Sequence, residues 1–144
     1  MSKDRLIVGG QLVAWLLLVM LTDLRAVTTT PHLLVIAGLG ASLWAISAAR
    51  LGPSYSSSTE PGPSNVLVLS GTYRYVRHPI YTGMLIVASV LLLSRPRTPV
   101  VVTYVLMALV TNFRASREEA LLECRYPEYA EYRKRTKRYI PFIL

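Results

Sequence analysis

Residues 71–83, GTYRYVRHPIYTG, set Arg77, His78 and Tyr81 directly before a long apolar run, LIVASVLLLS. A cation and a titratable ring at the mouth of an apolar helix are costly unless something binds them. Pro79 suits a first helical position, which leaves the backbone N–H groups of the opening turn without intrahelical partners. That end also carries the positive pole of the helix dipole, so it suits an anion such as a carboxylate or a phosphate. Gly83 removes a side chain one turn in, which would let a flat ligand approach the backbone. Tyr81 adds an aromatic face and a hydroxyl. The plainer alternative is that Arg77 and His78 sit in the head-group layer and bind phospholipid phosphate.

A second group, Arg114, Glu118 and Glu119, follows another apolar run. Arg114 and Glu118 are four apart and share a helix face. A solvated ion pair is the ordinary explanation. Yet Arg114 immediately follows the apolar stretch, and paired carboxylates beside anionic lipid call for a cationic partner. Taken together, a helix start that wants an anion lies near carboxylates that want a cation, with an aromatic and a glycine between. The complementary ligand is a zwitterion with a flat ring. S-adenosylmethionine fits that description; a nicotinamide dinucleotide fits parts of it, but its pyrophosphate would call for more cations and fewer carboxylates.

The elements that must position these residues are apolar helices. The chain has 144 residues, of which 52% are hydrophobic and only 17% charged, and its mean hydropathy is +0.39. That balance is wrong for a small soluble domain. Leu6–Thr22, His32–Ala49, Pro79–Ser94 and Thr98–Phe113 are free of charged residues, each a little shorter than the roughly 20 residues that span a bilayer comfortably. A soluble four-helix bundle would carry a polar stripe on each helix, and these runs carry almost none. The sequence therefore predicts a single all-α, polytopic membrane domain over 1–144. Its helices are expected at about 5–22, 31–50, 79–94 and 98–122, with a loop over 51–78 and an interfacial C-terminal segment over 125–144.

The net charge of +8 is unevenly placed: Arg25, Arg95 and Arg97 lie in the first and third connections, and the other Lys and Arg residues fall in the N-terminal tail, 50–78 and the C-terminal region. The bias puts both termini, the 51–78 loop and the active site in the cytoplasm. Anionic head groups account for the basic residues without nucleic acid. The first run lacks a small-residue cleavage site, so it reads as a retained helix. With one cysteine, Cys124, and two histidines, neither a disulfide nor a metal centre is expected.

Smaller features fill in the frame. Thr30 is a candidate cap before Pro31. Gly38, Gly40, Ala41, Ser42 and Ala45 give the second helix a small face for close contact. The turn RPRTP predicts that the last two helices form an antiparallel hairpin. The loop is rich in Gly, Pro and Ser, yet NVLVLS within it is apolar enough to lie on the membrane or line a pocket. Tyr126, Tyr129 and Tyr132 recur among basic residues, as in an interfacial helix, and Ile140-Pro141-Phe142-Ile143 is a candidate plug over the cytoplasmic opening.

These blocks resemble the membrane-embedded isoprenylcysteine carboxyl methyltransferases and their phospholipid methyltransferase relatives. The matching residues are Gly71, Tyr73 and Arg77-His78-Pro79-x-Tyr81-x-Gly83, then Arg114-x-x-x-Glu118-Glu119, Tyr129-x-x-Tyr132 and Ile140-Pro141. The resemblance covers roughly 50–144. It implies S-adenosylmethionine as cofactor, in a pocket closed by the C-terminal segment and open sideways to lipid. It implies cofactor contacts from Asn65, Val66, Leu67 and Val68, from Tyr73, His78, Pro79, Ile80 and Tyr81, and from Glu118; Gly83 and Glu119 join them from the residue pattern. Arg114 matches an arginine assigned to the substrate. Arg77 either helps it or braces the fold. Asn65-Val66 stand where eukaryotic members tend to have His-Thr, and the extra helices of those members are missing.

The expected chemistry is methyl transfer to a lipophilic acceptor, a lipidated or small hydrophobic molecule. A carboxylate or thiolate nucleophile would need no general base; an amine, as in phospholipid N-methylation, would need Glu119 or His78 as proton acceptor. Two rivals remain: a nicotinamide-dependent sterol-type reductase, and a lipid-binding protein without catalysis. Four short helices leave much lipid-facing surface, compatible with a homodimer.

Overall fold

The computed structural model describes residues 3–54 and 66–141. Over those residues the chain is all-helical: α1 (Lys3–Leu21), α2 (Leu24–Thr29), α3 (Pro31–Leu51), α4 (Pro79–Ser94), α5 (Thr98–Arg125) and α6 (Tyr129–Arg135). Short 3₁₀ turns lie at Gly52–Ser54 and Gly71–Arg74. Among the described residues the extended backbone pairs once, in an isolated parallel bridge between Val76 and Lys137.

The boundaries follow local chemistry. Pro79 opens α4 at its first turn and the Arg95-Pro96 step ends it, as expected for a residue held out of the helical region by a following proline. Pro99 sits harmlessly in the first turn and no breaker follows it, so α5 continues for 28 residues, past the apolar run. α2 was not expected. Asp23 explains it: its Oδ1 accepts from the backbone N–H of Arg25 and Ala26 at 3.0 and 3.2 Å, capping a turn that would otherwise be a bare connection. Thr30 does stand at the N-cap of α3, but without a side-chain hydrogen bond. α3 ends at Gly52, whose φ of 49° favours a residue without a Cβ.

The turn between α4 and α5 is short, as expected of a hairpin. Even so, α4 packs chiefly along α3, and α5 chiefly along α1. Gly40 and Gly83 explain the first pairing. A Cβ on Gly83 would lie 2.5 Å from the Gly40 carbonyl oxygen and 2.8 Å from the Trp44 nitrogen. One on Gly40 would lie 2.8 Å from Ile86 Cγ2. Gly83 therefore lets two helices touch, with its backbone against Gly40 and Trp44 of α3. Gly38, from the same small-residue face, has open space around it. Gly83→Ala is accordingly expected to lower the melting temperature by several degrees, from about 1–3 kcal/mol of overpacking. Gly38→Ala should leave it unchanged or slightly raised; thermal melts in detergent compare the two.

The core between the helices is built from Leu18, Ala88, Val90, Val100 and Met107. The outward faces are apolar too: Leu12, Leu16 and Met20 on α1, Val35, Leu39 and Ile46 on α3, and Val102, Leu106, Leu109 and Phe113 on α5 are exposed. A soluble bundle would turn polar residues outward; these helices suit lipid. By length and composition, α3 with its following turn (Pro31–Ser54) and α5 are each able to cross a membrane, while Leu6–Leu21 and α4 are shorter apolar helices.

Candidate active site

The start of α4 is held by the end of the chain. The backbone N–H of Arg77 donates to the Lys137 carbonyl at 2.8 Å, and that of His78 to Arg138 at 3.1 Å. Thr82 Oγ1 donates to the Tyr139 carbonyl at 2.9 Å. Residues 137–139 thus lie across the opening turn, with Tyr139 packed against Tyr81 and Ala115. Phe142 and Ile143 of the expected plug lie outside the described residues, and Ile140 is exposed.

The two glutamates of α5 have different employment. Glu119 is 2% exposed. Its Oε1 accepts from Arg77 Nε at 2.9 Å and from His78 Nε2 and Arg138 Nε, both at 3.2 Å. Its Oε2 accepts from Arg138 Nη2 at 2.6 Å. A carboxylate offers about four lone-pair sites, and here four protein donors converge on them. Glu119 is thus a hub that joins α4, α5 and the C-terminal segment. Arg77 is likewise taken up by the protein: besides Glu119 it donates from Nη1 to the carbonyls of Arg133, at 3.1 Å, and of Thr136. Of the two roles open to it, these contacts suit bracing.

Glu118 is turned the other way and its side chain is 20% exposed. It accepts a hydrogen bond from the Tyr81 hydroxyl, and lies 3.6 Å from His78 Nδ1 and 3.9 Å from Arg114 Nη2. His78 and Tyr81 stack with ring centroids 5.4 Å apart, and the Arg114 guanidinium lies over the Tyr81 ring at 5.6 Å. Arg114 is buried, and its Nη1 donates to Gln11 Oε1 of α1. Beside it, Leu6, Ile7 and Gly10 of α1 and Leu109, Val110 and Phe113 of α5 line an apolar groove of about 330 Å³.

Of the other expected contacts, Pro79 is buried at the first turn and Ile80 packs against the Tyr81–Tyr139 cluster. Tyr73 is a tie between elements: its hydroxyl donates to the Ser47 carbonyl of α3 at 3.4 Å, and its own carbonyl accepts from Tyr132 at 2.6 Å. Val66, Leu67 and Val68 form an irregular segment joined to the end of α3 by Ser54 Oγ, which donates to the Val66 carbonyl at 3.4 Å. Asn65 lies outside the described residues.

Two residues were missed. Arg138 is hidden within a basic run that reads as head-group binding, although it also reaches Asn112 Oδ1 at 3.0 Å and Ser116 Oγ at 3.1 Å. Gln11 did leave a signal, as the one side-chain amide in the apolar run Leu6–Thr22. Around the hub, the hydrogen bond to Glu119 raises the Arg138 guanidinium above its already high ordinary value. Burial pushes the phenols of Tyr132 and Tyr139 up to about 12, so both remain neutral donors at physiological pH.

A model for the isoprenylcysteine carboxyl methyltransferase (ICMT) family matches residues 31–124, which include α3, α4 and nearly all of α5. The Protein-S-isoprenylcysteine O-methyltransferase of Saccharomyces cerevisiae is 33% identical over 113 residues, 77% of this chain and 47% of that protein. The chain thus spans about half the length of the curated relative it matches. With His78, Tyr81, Arg114 and Glu118 in one cluster inside the matched region, the chain belongs to the isoprenylcysteine carboxyl methyltransferase family.

Proposed function

We propose that the chain is an integral membrane methyltransferase that uses S-adenosylmethionine to methylate a carboxylate on a lipophilic acceptor of the isoprenylcysteine type. The observation that carries this reading is the division of labour between the glutamates: Glu119 is bonded to Arg77, His78 and Arg138, while Glu118 stands partly exposed beside Arg114, His78 and Tyr81. The donor set fits the cofactor. Glu118 is a partly exposed carboxylate suited to an ammonium or a hydroxyl, and the opening turn of α4 carries no side-chain cap and suits a carboxylate. Bound there, S-adenosylmethionine supplies a methyl group on a sulfonium, open to in-line displacement.

The chain's own residues have little proton chemistry to do. Arg114 orients the acceptor carboxylate, and the apolar helices around it keep water from competing. A carboxylate nucleophile needs no base. An amine would, and Glu119 is already engaged by four protein donors, while the Nδ1 edge of His78 is turned to Glu118. This favours carboxyl methylation over phospholipid N-methylation. A nicotinamide-dependent reductase would have a pyrophosphate to neutralise, and the two best-placed cations, Arg77 and Arg138, are already bonded to Glu119. The groove between α1 and α5 suits the acceptor's hydrocarbon. In the proposed topology α1, α3, α4 and α5 all cross the membrane, and the charge bias sets both termini and the site on the cytoplasmic side.

Calorimetric titration of the detergent-purified protein tests the cofactor. S-adenosylhomocysteine should bind and reduced nicotinamide dinucleotide phosphate should not. Glu118→Gln should raise the dissociation constant for S-adenosylhomocysteine about tenfold, the loss of one charge-assisted contact, and leave the melting temperature near that of the wild type. Binding of the nicotinamide cofactor alone would move the protein to the reductases.

A further inference from the structure

Gln11 lies in α1, outside the residues that the family match covers, and is 2% exposed. Its orientation is fixed by chemistry. A guanidinium has donors only, so the amide must turn its oxygen to Arg114, and its Nε2 then donates to Thr111 Oγ1 at 3.3 Å. Arg114 is thereby held on three sides: Gln11 at Nη1, Glu118 near Nη2 and the Tyr81 ring against its face. The contact from α1 is neutral. A carboxylate at that position would hold the guanidinium as well, but it would also cancel the charge that an anionic acceptor needs.

We infer that Gln11 is a positioning residue for the acceptor: it fixes the guanidinium of Arg114 from α1 without neutralising it. The inference rests on the acceptor reading above. It makes α1 part of the site and assigns a use to a buried amide in a helix whose other faces suit lipid. The competing role is adhesion, since a buried amide also joins helices. The two separate on Gln11→Glu, which keeps or strengthens the α1–α5 contact and changes only the charge delivered to Arg114.

The test is calorimetric binding of N-acetyl-S-farnesylcysteine to the full chain in the presence of saturating S-adenosylhomocysteine. Gln11→Glu should weaken this probe about tenfold, with the dissociation constant for S-adenosylhomocysteine within about twofold of wild type and the melting temperature maintained. Gln11→Met, which removes the contact without adding charge, should weaken the probe about threefold at unchanged S-adenosylhomocysteine affinity. Should Gln11→Glu fail to fold, the methionine variant decides alone. Wild-type probe affinity in the folded variants would mean adhesion only and overturn the inference. If the wild type bound S-adenosylhomocysteine but not the probe, the acceptor reading would fail, and this inference with it.

Discussion

Glu119→Gln is expected to loosen the junction of α4, α5 and the C-terminal segment, with a loss of about 3–5 kcal/mol. For a chain of this size that corresponds to a fall in melting temperature of about 10 °C. The substitution preserves shape and removes charge, leaving the buried His78 and the partly buried Arg77 and Arg138 without their common anion. Only one oxygen remains to accept, and the new amide nitrogen would point a donor at donors. Residues 137–139, which lie across the α4 opening, would then lose their buried ionic tie and keep their backbone hydrogen bonds and the weaker contacts of Arg138 and Tyr139 with Asn112, Ser116 and Thr82. Trypsin sensitivity at the Arg133–Arg138 run should rise together with the loss of thermal stability. A melt within about 2 °C of wild type would mean that the hub is dispensable and that Glu119 is kept for a ligand.

Arg114→Leu is expected to act on turnover instead. If Arg114 orients the acceptor carboxylate, its loss should lower kcat/KM for N-acetyl-S-farnesylcysteine about 10²- to 10³-fold, the effect of removing one partner of a buried charge pair. S-adenosylhomocysteine binding should stay within a few-fold of wild type, since Arg114 touches Glu118 only at 3.9 Å. Arg114→Lys should recover part of the rate by restoring charge, but not the fork that lets Gln11 and the acceptor use separate edges. Loss of cofactor binding in both variants would make Arg114 part of the cofactor site and sink its assignment to the acceptor.

The contrast between the glutamates shows what a sequence can and cannot reveal. Both were legible as site residues because two carboxylates beside an apolar run are out of place. Their different employment was not, since adjacent residues on a helix point about 100° apart, and which of them meets α4 depends on how α5 is rotated against it. The ends of α4 were readable because prolines mark them. The six residues of α2 carry too short a pattern to show a period. Gly83 was read from its own neighbourhood, whereas its reason lies on another helix, in the carbonyl of Gly40. Arg138 was obscured by equivalence: within RKRTKR nothing local tells the arginine that turns inward from those that face water.

The length of α4 has a consequence for where the chemistry happens. Its 16 residues rise about 24 Å, against a hydrocarbon layer of about 30 Å. If α4 crosses the bilayer as proposed, it creates hydrophobic mismatch, which the bilayer relieves by thinning locally. The opening turn with His78 and Tyr81 then sits at the bottom of a dimple, below the plane of the surrounding head groups. An acceptor of the proposed kind, anchored by its hydrocarbon chain, would then meet the site at its own resting depth, without being lifted out of the lipid. Membrane thickness would become a setting of the proposed enzyme, with acyl-chain length in the host bilayer adjusting the depth at which acceptor and Arg114 meet.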